Sequence, residues 1–118
     1  MGLDKHLELR TRTKNFALRI IRMTRGMLNT REANVLGNQV LRSATGMAAN
    51  YRAAGRARSR AEFIAKIGVV VEEADETVFW LELLGESGII QPTKLVELLA
   101  EANQLLAVFS ASRKTSKS

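Results

Sequence analysis

Cysteine is absent from the 118 residues, which excludes disulfides, thiolate zinc sites and a cysteine nucleophile. Proline occurs once, at Pro92, and the period-2 alternation of strands is almost missing. Aromatic residues make up 5% of the chain, too few to interleave with the basic residues as a platform for stacked bases. The single histidine is His6, and no Glu-x-x-His occurs. A carboxylate-bridged metal centre therefore lacks its ligand spacing. A nucleophile–base pair and a phosphate-cradling glycine loop are likewise missing, so an enzyme is not expected. No uncharged apolar run approaches ~18 residues, the length a membrane span needs. The opening MGLDKHLELR has no apolar core of the kind a secretory signal carries. The expectation is one cytoplasmic domain with no cofactor and no metal.

Acidic residues are scarce in the first half. Residues 1–60 hold 13 Lys/Arg and 3 Asp/Glu, a balance of +10. Residues 61–118 hold 5 Lys/Arg and 9 Asp/Glu, a balance of −4. Such asymmetry fits a polyanion partner or an acidic–basic contact between subunits. It equally fits basic and acidic helices that complement each other inside one bundle.

What the chain does have is helical periodicity. Ser59, followed by Glu62 and Phe63, is a capping box that starts a helix running to about Gly85. Its core stripe is Phe63, Ile67, Val70, Val71, Ala74, Val78, Leu81 and Leu84. Val69, Phe79, Trp80 and Leu83 fall on the other side of the wheel. They are covered by a long neighbouring helix or form an oligomer contact, with Trp80 the best single candidate. An earlier helix spans about Asp4, a candidate N-cap, to Leu28, with Phe16, Ile20, Met23 and Met27 as its stripe. A second begins near Thr30 or Arg31 and ends at Ala54, buried through Leu36, Val40, Met47, Tyr51 and Ala54. Gly55 fits a left-handed C′ position behind it. Beside that stripe lies an arc of Gln39, Arg42, Gly46, Asn50 and Ala53, suited to tight packing with satisfied polar groups or to a recognition groove. A fourth helix follows Pro92 at its first position and runs to about Ser112. Residues 113–118 carry no apolar side chain and are expected to be a disordered basic tail. The fold expected for residues 1–112 is all-α, an up-down-up-down antiparallel four-helix bundle.

Three arginines, Arg56, Arg58 and Arg60, bracket Ser59 at a helix N-terminus. Together with the helix amides they could bind an anion, or they form a solvated turn. Arg10, Arg12, Arg19, Arg22, Arg42 and Arg52 complete the candidate phosphate-contacting set. The acidic group Glu72, Glu73, Asp75 and Glu76 is assigned to salt bridges with the basic helices rather than to metal.

The order Gln39-x-x-Arg42, Asn50, Arg58-Ser59, Glu62-Phe63 and Glu72-Glu73-x-Asp75-Glu76 resembles the bacterial four-helix-bundle family known from 23S rRNA intervening sequences. The phrase ANYRAAGRARSRAEF is its most specific part. Met47-Ala48-Ala49-Asn50 stands where many members have Ile-Pro-x-Asn, and the glutamate usual after the asparagine is absent. The resemblance implies a small all-α protein, a ring-like homopentamer and no catalytic activity. A similar group, the accessory proteins of diversity-generating retroelements, binds nucleic acid and a reverse transcriptase. The first functional expectation is therefore an oligomeric, non-enzymatic protein that binds RNA or DNA, with structured RNA favoured, through phosphate neutralisation. The alternative is a protein-interaction scaffold, such as a subunit that docks a reverse transcriptase.

Overall fold

The computed structural model describes residues 2–118. Helix α1 spans Gly2–Arg25, α2 Arg31–Ala54, α3 Arg60–Glu86 and α4 Val96–Lys117, with a single 3-10 turn at Pro92–Lys94 before α4. A 27-residue helix is about 40 Å long at 1.5 Å per residue. The molecule measures 44 × 22 × 21 Å, so the helices lie along its length. Successive helices pack side by side, most extensively α2 on α3 and α3 on α4, and α4 returns to touch α1 most sparingly. Short connections then force antiparallel neighbours, which gives an up-down-up-down four-helix bundle.

The helix starts follow side-chain chemistry. Thr30 and Ser59 are both extended, and their hydroxyls accept from Ala33 N and Glu62 N, at 3.2 and 3.0 Å. Gly88, at φ 79°, reverses the chain after α3, and Ile90 N donates to Leu84 O across that turn. The core joins Phe16, Ile20, Val40, Met47, Ile67, Leu81, Leu84, Leu105 and Phe109, with Tyr51 beside Phe109. Three small hydroxyls sit inside it. Thr13 donates to Arg10 O, while Ser43 and Thr77 share a 2.8 Å hydrogen bond across the α2–α3 seam.

Five sequence expectations are corrected. Asp4 lies within the first turn of α1, which begins at Gly2. That helix stops at Arg25, where Gly26 and Met27 make tightened i→i+3 bonds, and Leu28 is 70% exposed. Gly55 is right-handed, at φ −65°. Pro92 opens the 3-10 turn rather than α4 itself. Residues 113–117 are helical and continue α4, because the Arg60 guanidinium donates to Ser116 O at 2.9 and 2.6 Å and to Ser118 O at 2.8 Å. Composition could not reveal that anchor, which comes from a residue 56 positions away.

Candidate functional site

The nine candidate cations divide by what they touch. Arg12 spans α1 and α4, with Nε and Nη2 each 2.8 Å from the two oxygens of Glu101, and Nη2 also 2.7 Å from Gln104. That bidentate geometry is the stronger kind of ion pair. The Glu101 hydrogen bond raises the Arg12 pKa further. Arg42 spans α2 and α3, 2.6 Å from Glu76 and 3.5 Å from Glu73. Arg60 clamps the end of α4, as described. These three candidates are thus engaged by their own chain. Arg10, Arg19, Arg22, Arg52, Arg56 and Arg58 form no ion pair among the described residues.

Antiparallel topology sorts these six. Arg19 and Arg22 face a groove with Lys94, Glu97 and Leu98, where α1 ends and α4 begins. Arg52, Arg56 and Arg58 lie at the opposite pole, around the α2–α3 connection. Arg10 is half-buried nearer that second pole. These six arginines thus fall into two groups separated along the bundle.

The arc of Gln39, Arg42, Gly46 and Asn50 belongs to the α2–α3 seam. Gln39 accepts from Arg42 Nε at 3.3 Å, and Asn50 donates to Gly46 O at 2.8 Å. Gly46 lies against the Glu73 carboxylate so closely that a Cβ there would collide with it. Of its two readings, tight packing with satisfied polar groups is the one seen. Burial pushes the Glu73 pKa up, and the neighbouring Glu76 charge pushes it in the same direction against the pull of Arg42. Among the described residues no group of three or more carboxylate or histidine side chains is placed to hold a metal ion, and no helix is long and apolar enough to cross a membrane.

The other predicted face is mixed. Val69 and Phe79 are 39% and 49% exposed. Leu83 and Trp80 are half-buried, and Trp80 packs against the core with its indole Nε1 buried and unpartnered. Phe79 meets Trp80 edge-on at 5.0 Å.

Two features escaped sequence reasoning. The first is a groove of about 980 Å³ between the start of α1 and the end of α4, lined by Leu3, His6, Leu9, Tyr51, Phe63 and Val108. His6 stacks on Tyr51 there, with centroids 4.6 Å apart, and its pKa is lowered by burial and then by Arg10. Burial also pushes the Tyr51 phenol up to about 12. The second is a groove between α3 and α4 lined by Val71, Ser110, Arg113, Lys114, Lys117 and Ser118. The only sequence signal for it was positive charge in a segment that was expected to be disordered.

Comparison with known proteins fits this architecture. The sequence profile of the 23S rRNA-intervening sequence protein family matches residues 5–111. A crystal structure of a protein of unknown function from Bacteroides thetaiotaomicron VPI-5482, assigned to the S23 ribosomal protein family, superposes with a TM-score of 0.85. It is 31% identical, and the match covers 93% of this chain and 98% of that one. No curated protein matches. With its four antiparallel helices and a profile match over nearly its whole length, this chain belongs to the 23S rRNA-intervening sequence protein family.

Proposed function

We propose that this protein is a non-catalytic, oligomeric nucleic-acid-binding bundle whose preferred ligand is structured RNA. The observation that carries the reading is the sorting of charge. Glu73, Glu76 and Glu101 are committed to seams between helices, while Arg10, Arg19, Arg22, Arg52, Arg56 and Arg58 keep their charge uncompensated by ion pairs. Exposed cations such as Arg22, Arg52, Arg56 and Arg58 neutralise phosphates and release counterions. The family's name, tied to 23S rRNA intervening sequences, supports RNA as the ligand class. Binding rests on positioning and charge, since Phe79 is the only exposed large aromatic among the described residues and base stacking has little to work with.

The test is filter binding of a stem-loop RNA over a salt series. Affinity that falls steeply with salt, and a shallower slope for R52Q/R56Q/R58Q, support the reading. Affinity no greater than that of a neutral helical bundle rejects it.

The second reading is an assembly or docking scaffold, favoured by Val69 and Phe79 exposed on α3 beside half-buried Trp80 and Leu83. A second copy of the chain in a ring-like homopentamer, or a protein such as a reverse transcriptase, would cover that face. Pull-down from nuclease-treated lysate separates the readings: a protein partner retained without RNA favours docking.

A further inference from the structure

We infer that Arg113, Lys114 and Lys117, with the Ser110 hydroxyl, form a seat for adjacent phosphate groups in the groove between the last turns of α4 and helix α3. This rests on the proposed RNA reading, names a contact region for it, and adds residues outside the candidate set drawn from the basic half.

The sequence places the three cations on one side of a helix. Positions 113 and 117 are one turn apart, and 114 and 117 are three residues apart, so Lys117 neighbours each of the other two. Like charges at that spacing repel, while their place in the last turn suits the helix dipole. The structure keeps the turn wound. Arg60, the first residue of α3, donates three hydrogen bonds to Ser116 O and Ser118 O. It adds a further cation beside the three. It also engages main-chain oxygens of Ser116 and Ser118, whose negative charge at a helix C-terminus would otherwise oppose an anion.

The groove holds about 460 Å³, and no Asp or Glu side chain lines it among the described residues. None of its three cations is ion-paired among those residues. Arg113 is the fixed member. Its guanidinium lies against Gly68 of α3, where an added Cβ would sit 3.6–3.7 Å from its atoms. Its Nε is buried with no hydrogen-bond partner. One edge of the guanidinium is thereby desolvated against α3, while the side chain still lines the groove. A partly desolvated, positioned guanidinium recognises a pair of phosphate oxygens better than a freely solvated one. Lys114 and Lys117 supply mobile point charges around it. The groove runs along the side of α4 from Ser110 to Lys117, so a ligand lies beside the helix rather than off its negative end. Phosphodiester groups of RNA are the source of phosphate to which the seat is assigned.

Two measurements on the full chain test this. In the first, 15N-labelled protein is titrated with tripolyphosphate, following the Arg113 Nε–H and the backbone amides of residues 110–118. Saturable shifts there support the seat. Shifts that are absent, or no larger than those around Arg22 and Lys94, overturn it. In the second, stem-loop RNA affinity is compared for wild type, R113Q/K114Q/K117Q and R19Q/R22Q. The seat predicts an affinity loss of about tenfold at low salt for the triple variant, with the salt slope smaller by about 2–3. RNA binding with unchanged affinity and slope in that variant overturns the seat and leaves the RNA reading standing. Tripolyphosphate binding at 110–118 without any RNA binding does the reverse: the seat then serves free polyphosphate, and the proposed function fails. The first measurement needs no substitution, so a poorly folded variant cannot decide the outcome.

Discussion

A single methyl group separates a docked helix start from a displaced one. At Gly55 an added Cβ would run into the His6 ring, which is already stacked on Tyr51. The glycine there leaves space for the ring, and its backbone is not left-handed. Gly55→Ala is therefore expected to lower unfolding stability by about 1–2 kcal/mol, through overpacking and loss of the aromatic contact. Urea denaturation measures it. His6→Ala should make most of that cost vanish in the double variant, because the two positions touch. His6 also makes stability depend on pH. Its folded pKa lies below the ordinary 6.5, so the unfolded chain takes up a proton first as pH falls. Stability should be level above about pH 6.5 and decline below it until the folded value is passed. His6→Phe should flatten that part of the profile; an unchanged slope would show that another group titrates.

At the scale of elements, the last turn of α4 depends on the first residue of α3. Composition made residues 113–118 look unstructured, since they bury no apolar side chain of their own. The carbonyls of Ser116 and Ser118 instead find a donor in Arg60, and unsatisfied carbonyls are what normally loosens a helix end. Arg60→Ala should speed amide exchange several-fold at residues 113–117 while leaving the amides around Leu81 and Leu105 protected. Equal exchange in the variant would mean that the turn holds by itself. The same logic applies to α1, which packs sparingly on α4 and is tied to it by the bidentate Arg12–Glu101 pair. Both cations were assigned to phosphate in the sequence reading, because a guanidinium looks the same in sequence whether its partner is a ligand or a helix.

For the whole molecule, the excess of +6 is not spread evenly. Glu101 is engaged by Arg12, and Glu73 and Glu76 by Arg42, while Arg52, Arg56, Arg58, Arg113, Lys114 and Lys117 gather toward one end. An elongated body with its cationic excess at the pole where α2 and α4 end suits a polyanion that docks at that end. If assembly proceeds through the exposed part of α3, Phe79→Asp should lower the assembled mass seen by light scattering without reducing helicity, since Phe79 is about half exposed and contributes little to the core. An unchanged mass would move the interface elsewhere.

Periodicity and capping chemistry determined four helices, their order and most of the core. Ser59 and Thr30 start helices for reasons local to a few residues, and the stripes of Ile67, Leu81 and Leu105 repeat at the helical period wherever they are read. The partner of each charge lay beyond that reach. Arg12 meets Glu101 across 89 residues and Arg42 meets Glu76 across 34, and nothing in either neighbourhood encodes the choice. Tertiary structure alone decided which cations are spent on the fold, which stay outward, and that Arg113, Lys114 and Lys117 stand together on an ordered turn. Helix formation depends on residues three and four apart, whereas ion pairing depends on which helices the bundle brings side by side.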